Sequence, residues 1–407
     1  MVGSMTARVV ATFAIAALAY AGAAAAQDPP PPPAGRAALL ENAQREKAAA
    51  LRPYEPDRVE NALNRVERIL RKGVNFHPFF DSAYSGGGFT LGAGYIFRVG
   101  EYNTLDVRGS GTFSGYKRFE TEFVAPRLFN RRGRLSLLGG WREATAVGFY
   151  GLGTENTSAD DRANYAFDQP YGSAVLDLWP TRKYLLLRGA LDVSTWNTAS
   201  GNGPEPPITD IYTPATLPGL GASPTYVHSE ATVGIDTRTS PGYTRRGSFL
   251  GFSYHDFHDP DGQFGFHRTD YEVTQHVPFL KETWVLSLHG RAQLATSGDG
   301  QAVPYFMMPD LGGGSSLRGF SSWRFRDLNS LLLQAEWRVI ASRILDMAIF
   351  YDAGRVTSRR SDLFDGHLKS DYGLGFRLHG RLATPLRLEI AHGNEGFGLI
   401  FSAKAPF

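Results

Sequence analysis

The stretch GGGSSLRGFSSWRFRD, residues 312–327, carries the most pointed chemistry in the chain. Three consecutive glycines allow a tight backbone path. They lead to Arg318, fenced by Leu317, Gly319 and Phe320. A guanidinium is a planar fork of donors that can grip a carboxylate by both oxygens. Two acids follow at useful distances: Glu336 in QAEWR and Asp352 in FYDAG. Held between them and away from water, Arg318 would anchor a cluster whose disruption costs about 3–5 kcal/mol. The other reading is an arginine on a solvated outer loop. Spacing alone leaves both open.

Few other residue patterns suggest reactive chemistry. Neither G-x-S-x-G nor H-E-x-x-H occurs, and no serine and histidine share a lipid-facing position as a wall-borne lipase would need. The chain has no cysteine, which excludes disulfides, a thiol nucleophile, thiolate metal sites and a lipobox anchor. HDPDGQ at 258–263 has part of a calcium-loop pattern but lacks the closing glutamate, so a hairpin turn is expected there. Gly92-x-Gly94 and Gly151-x-Gly153 open no helix, so no dinucleotide site is implied. No catalytic residue, cofactor or metal is expected. The net charge of +2 gives no reason to expect a nucleic-acid partner.

The elements that must position Arg318 and its acids have a period of two, from about residue 74 onward. In 283–294, Trp284, Leu286, Leu288, Ala292 and Leu294 share one face, and Ser287, His289, Arg291 and Gln293 share the other. In 331–339, Leu331, Leu333, Ala335, Trp337 and Val339 alternate with Gln334, Glu336 and Arg338. In 371–379, Tyr372, Leu374, Phe376 and Leu378 alternate with Asp371, Arg377 and His379. At the end of the chain Leu399, Phe401, Ala403, Ala405 and Phe407 fall on one face. Runs of about ten to fifteen residues suit tilted strands that cross a bilayer. The strands of a soluble sandwich average about six.

Loop lengths alternate too. The joins at 99–103, 129–134, 179–183, 278–282, 342–344 and 381–383 are short. Those at 146–164, 198–223, 298–327 and 356–368 are long. Short periplasmic turns and long outer loops on about 16 strands give an all-β fold, a transmembrane antiparallel β-barrel. Arg188, Asp192, Arg291, Arg338, Asp371, Arg377, Arg387 and Glu389 would then face the lumen.

Ahead of the barrel, residues 1–26 read as a signal peptide: Arg8, an apolar run at 9–20, and Ala24-Ala25-Ala26 at the cleavage site. Residues 27–73 hold a polyproline linker and a helix at 57–72. Asp57 and Glu60 form its capping box, and Val59, Leu63, Val66, Ile69 and Leu70 form its apolar stripe. This short periplasmic helix either docks on or plugs the barrel, or serves as a spacer. Residues 74–407 form the barrel itself.

LGGGSSLRGF followed by QAEWR and FYDAG resembles the BamA/TamA family of outer-membrane assembly barrels, also called bacterial surface antigens. DTRTSPGYTRRG at 236–247 is similar to that family's Asp-x-Arg…Pro…Arg-Gly turn, and FYGLGTEN at 149–156 to its Gly-x-Gly segment. The resemblance implies that Leu317, Arg318, Gly319 and Phe320 form a loop tucked into the lumen. Glu336 and Asp352 would be its acidic partners, and Phe407 would end a C-terminal targeting signal. It also implies a bacterial outer-membrane location, with membrane lipid and client barrels or a periplasmic partner as contacts. The family's periplasmic POTRA modules have no counterpart in the residues between the signal and the barrel.

Three functions follow as expectations. The first is assistance to protein or lipid insertion through a weak seam between the first and last strands. Gly86, Gly87 and Gly88 lie near the first strand, Gly396 and Gly398 lie in the last with Phe401, and Pro406 removes a ladder donor. The second is a passive channel gated by the loop around Arg318. The third is a structural surface protein.

Overall fold

Where leucine and tryptophan alternate with glutamate and arginine, one face must meet lipid and the other must meet polar partners. The computed structural model of the chain describes residues 40–42, 44–47, 61, 75–78, 86–155, 157–181, 184–380, 383–402 and 407. The expected signal peptide, the polyproline linker and, apart from helical Asn61, the 57–72 helix lie outside the described residues. The chain divides into two units, Met1–Asp57 and Arg58–Phe407. In the first, the described residues are helical, with Arg45 paired to Glu41 one turn away at 3.1 Å.

The second unit begins with β1 (Phe76–Pro78), β2 (Thr90–Val99), β3 (Asn103–Thr112), β4 (Lys117–Leu128), β5 (Gly133–Phe149) and β6 (Ala163–Leu178). Next come β7 (Leu185–Thr195), β8 (Asn197–Ser200), β9 (Thr225–Asp236), β10 (Gly247–His258), β11 (Phe266–Phe279) and β12 (Trp284–Ser297). A small hairpin of β13 (Asp310–Leu311) and β14 (Phe325–Arg326) interrupts the series. The wall resumes with β15 (Asn329–Ile340), β16 (Leu345–Thr357), β17 (Lys369–Leu378), β18 (Leu386–Gly393) and β19 (Gly396–Ser402). All but the small hairpin belong to one antiparallel 17-stranded sheet. β7 and β8 pair with successive stretches of β6, so they are two halves of one crossing. Trp196 breaks that crossing by turning into a ring stack with Phe167 at 4.9 Å and Phe306 at 5.2 Å.

Burial is inverted relative to a soluble protein. Ile349 is 63% exposed and Leu374 49%, while Asp352 is fully buried and Arg377 is 1% exposed. Apolar side chains pointing outward and charges pointing inward make sense only when the outer solvent is hydrocarbon. The long loops 150–162, 201–224, 298–328 and 358–368 all leave one end of the strands, which also carries the short turns 113–116 and 394–395, while the longest connection at the other end is 237–246. By that asymmetry the short-turn end faces the periplasm. Near it, on the lipid face, Trp284 meets Trp337 edge-on at 5.5 Å.

The lumen is filled in layers. At the outer end the segments 201–224 and 298–309 fold over the mouth. The Tyr305 N–H bonds the Pro218 carbonyl at 2.9 Å, and the Tyr305 ring meets Phe149 and Tyr165 edge-on at 5.4 and 5.0 Å. The 258–263 stretch is a turn: the Asp259 carboxylate accepts backbone N–H groups from Asp261, Gln263 and Phe264 at 3.1, 3.0 and 2.8 Å. At the periplasmic end the connection 237–246 bends inward. Tyr243 lies parallel to the His379 ring at 4.1 Å and donates its hydroxyl to Asp346 at 2.9 Å. Asp346 also meets His379 Nε2 at 3.0 Å and Arg338 at 3.6 Å, and Arg338 donates to the Thr244 carbonyl. The 237–246 turn therefore forms a floor under the Arg338–Asp346–His379 side of the lumen, opposite the segments folded over the mouth.

Candidate functional site

The loop between β12 and β15 reaches the lumen because its backbone can turn where side chains would not fit. Gly312 has φ +121°, and a Cβ there would lie 2.1 Å from the Ser321 carbonyl oxygen. The Gly312 N–H bonds the Ser316 hydroxyl at 2.8 Å, which donates back to the Gly312 carbonyl at 3.0 Å. Register pairs Asp310↔Arg326 and Leu311↔Phe325 close the loop's base. Leu311, Leu317, Phe320 and Phe325 then pack on Leu332 and Val356, giving the loop an apolar core of its own.

This turn delivers Arg318 to a wall of acids, and the guanidinium is 1% exposed. Its Nε and Nη2 donate to the two oxygens of Asp352, both at 2.7 Å, in the side-on geometry a carboxylate fits best. Nη1 reaches Glu389 at 3.2 Å and Glu336 at 3.5 Å. The Phe350 ring lies 3.4 Å from the guanidinium carbon, within the range of a cation–π contact. Arg377 donates to both oxygens of Glu336 and to Glu389 at 2.8 Å. Arg387 lies 3.6 Å from Glu389 and donates to the Gly314 carbonyl at 2.8 Å. Gln334 bridges Asp352 at 3.1 Å and the Ser316 carbonyl at 2.9 Å. Three guanidinium groups alternate with three carboxylates, so each buried charge has an opposite neighbour. Such a mesh ties the loop to β15, β16, β17 and β18.

Glycines on the neighbouring strands make room for the loop. A Cβ on Gly319 would lie 2.7 Å from the Gly393 nitrogen, and one on Gly398 2.7 Å from the Arg318 carbonyl oxygen. The last strand thus bears directly on the loop's apex. Replacing Gly398 with alanine is expected to destabilise the barrel by about 1–3 kcal/mol through overpacking. Chemical denaturation in detergent would measure it, and a change near zero would mean that the two segments part freely.

Phe401 points outward, 61% exposed, and its ring meets Phe89 at 6.3 Å. Phe407 departs from the outward face expected of it. β19 ends at Ser402, and the Phe407 ring stacks on His289 at 5.0 Å, a residue of the inward face of β12. The counting that put Phe407 on the outward face runs through 403–406, which lie outside the described residues.

Spacing did not single out several residues that this site uses. Glu389 was placed on the inward face but not beside Arg318. Arg324 donates to Glu395 in the β18–β19 turn at 2.9 Å and to the Thr157 hydroxyl and carbonyl at 3.0 and 2.9 Å. Arg326 bonds the Tyr165 hydroxyl and the Tyr305 carbonyl, both at 3.1 Å. The FYGLGTEN segment docks on the loop's base. The Gly153 N–H bonds the Arg326 carbonyl at 2.9 Å, and the Thr154 hydroxyl bonds the Val356 carbonyl at 2.9 Å. In DTRTSPGYTRRG, Asp236 holds Arg238 through both carboxylate oxygens at 3.0 and 2.9 Å.

Residues 90–395 match the family model described as the Omp85 superfamily domain. Among solved structures the chain is similar to BamA from Haemophilus ducreyi lacking POTRA domains 1–3, at 13% identity and a TM-score of 0.56. That match covers 80% of this chain and 67% of the other. It is also similar to CdiB from Escherichia coli at 13% identity and a TM-score of 0.54, over 80% of this chain and 59% of CdiB. At such identities the likeness is one of fold. No curated protein sequence matches. The family match spans most of the barrel, from β2 to the β18–β19 turn, and the chain belongs to the Omp85 superfamily of outer-membrane β-barrels.

Proposed function

We propose that this barrel assists the insertion or translocation of other molecules at the outer membrane through its seam. The observation that carries the reading is the outward face of β19 at the seam. Its seven residues are in register with β18, and the Phe401 ring meets Phe89 across the seam at 6.3 Å. Its outward side chains are bare, with Phe397 79% and Leu399 78% exposed. An edge strand with open backbone groups is a template for strand addition. In lipid that tendency is stronger, because an unpaired N–H or carbonyl finds no water. A client strand could pair with β19 where the seam parts. The Arg318 loop held inside the lumen favours this reading over a standing pore.

The chain has no cysteine, so a pair introduced as Phe89→Cys and Phe401→Cys supplies the only thiols. The variant would be placed in vesicles, joined by a short reducible thiol linker, and given a urea-unfolded monomeric outer-membrane barrel as client. Client folding, followed by its heat-dependent gel mobility, is expected to slow to the lipid-only rate when the seam is linked and to recover on reduction. Equal client folding with the seam linked and free would sink the proposal. A large steady conductance in planar bilayers would point to the channel instead.

A further inference from the structure

The two rims of the barrel carry opposite charge. At the short-turn end, Arg127, Arg131, Arg132, Arg246, Lys281 and Arg343 are all exposed. They come from five different strands or turns and so spread around the rim. Among the described residues acids there are few: Glu282 pairs with Arg246 at 2.7 Å, and Glu101 accepts from the neighbouring Tyr102 hydroxyl. The long-loop end is the reverse. Glu155, Asp160, Asp161, Asp210, Asp261, Asp299 and Asp365 are exposed there, against exposed Lys117, Arg359 and Arg360.

A second observation concerns how the basic turns are built. Phe129, Asn130 and Arg131 have φ of 50°, 56° and 66°, and Leu280, Lys281 and Glu282 have 44°, 58° and 66°. Three successive non-glycine residues with left-handed backbone are costly, and such conformations persist where they position something. Each of these turns presents an exposed apolar side chain first, Phe129 at 65% and Leu280 at 68%, with a cation one or two residues on. Arg127 lies 3.7 Å over the ring of exposed Tyr102, repeating the pairing of cation and apolar surface. An apolar group beside a cation is the arrangement of a bilayer interface, where one enters the acyl layer and the other meets phosphate. An acidic protein surface would match the charge but leave Phe129 and Leu280 uncovered.

We propose that the short-turn rim is a collar that binds anionic phospholipid headgroups in the periplasmic leaflet. Cations near an anionic surface attract it additively, within a Debye length. The collar is independent of what the seam does.

Trp284 and Trp337 stand near this end on the lipid face and can report on it. The barrel would be reconstituted in phosphatidylcholine vesicles containing brominated phosphatidylglycerol or brominated phosphatidylcholine, and tryptophan quenching compared. Quenching should favour phosphatidylglycerol by about fivefold or more. The preference should fall toward one as salt rises, and in a variant with Arg131→Gln, Arg132→Gln, Lys281→Gln and Arg343→Gln. Arg359→Gln with Arg360→Gln should leave it intact. Equal quenching by the two lipids in the unaltered barrel overturns the proposal. So does a preference that survives both high salt and the fourfold substitution. The salt series needs no variant, so misfolding of a variant cannot rescue the idea.

Discussion

Replacing Arg318 with alanine should lower the barrel's stability by about 3–5 kcal/mol, because it strands buried carboxylates that the guanidinium now satisfies. Asp352 loses two bonds of 2.7 Å, and Glu389 and Glu336 lose part of their compensation. Urea unfolding in detergent, or the temperature at which folded gel mobility is lost, would measure the effect. Arg318→Lys keeps the charge but not the side-on fork, so it should fall between alanine and the native residue. Pairing Arg318→Ala with Asp352→Asn should cost less than the two single changes added together, since the double variant removes both charges of the closest pair. A loss of no more than about 1 kcal/mol for the alanine variant would be the value of a solvated surface pair. It would contradict the buried cluster.

The second large effect is expected at the floor. Tyr243→Ala should cost about 3–5 kcal/mol, the usual loss for truncating a buried aromatic. It removes the stack on His379 and leaves Asp346 without the hydroxyl. Tyr243→Phe keeps the stack and deletes only a hydrogen bond to a charged group, so about 1.5–3 kcal/mol is expected. The same unfolding measurement separates the two. If alanine and phenylalanine cost the same, the ring packing contributes nothing and the turn is held elsewhere.

The wall was legible in the sequence because hydrocarbon permits no compromise. Leu333 and Trp337 must face outward if Glu336 faces inward, and a period of two exposes that choice directly. Asp352 and Glu336 could be matched to Arg318 because they lie on the two strands that follow the loop. Glu389 lies 71 residues from Arg318, and nothing local says that the loop leans far enough to reach β18. Arg324 and Arg326 share the same glycine-rich stretch, but which wall each meets depends on how the loop twists after Phe320. The inward fold of 237–246 was hidden for the same reason, since Tyr243 and Asp346 are 103 residues apart. Its one local sign is Pro241-Gly242-Tyr243 inside a turn much longer than its neighbours at that end.

The lumen loop also constrains the order of assembly. The carboxylates that hold Arg318 all come later in the chain, and Gly398, which touches its backbone, is later still. A loop so enclosed, with aromatic packing above and the Tyr243 turn below, cannot be threaded into a finished cylinder. It acts instead as a mandrel around which β15 to β19 are wound, leaving the early strands to wrap round and meet β19 last.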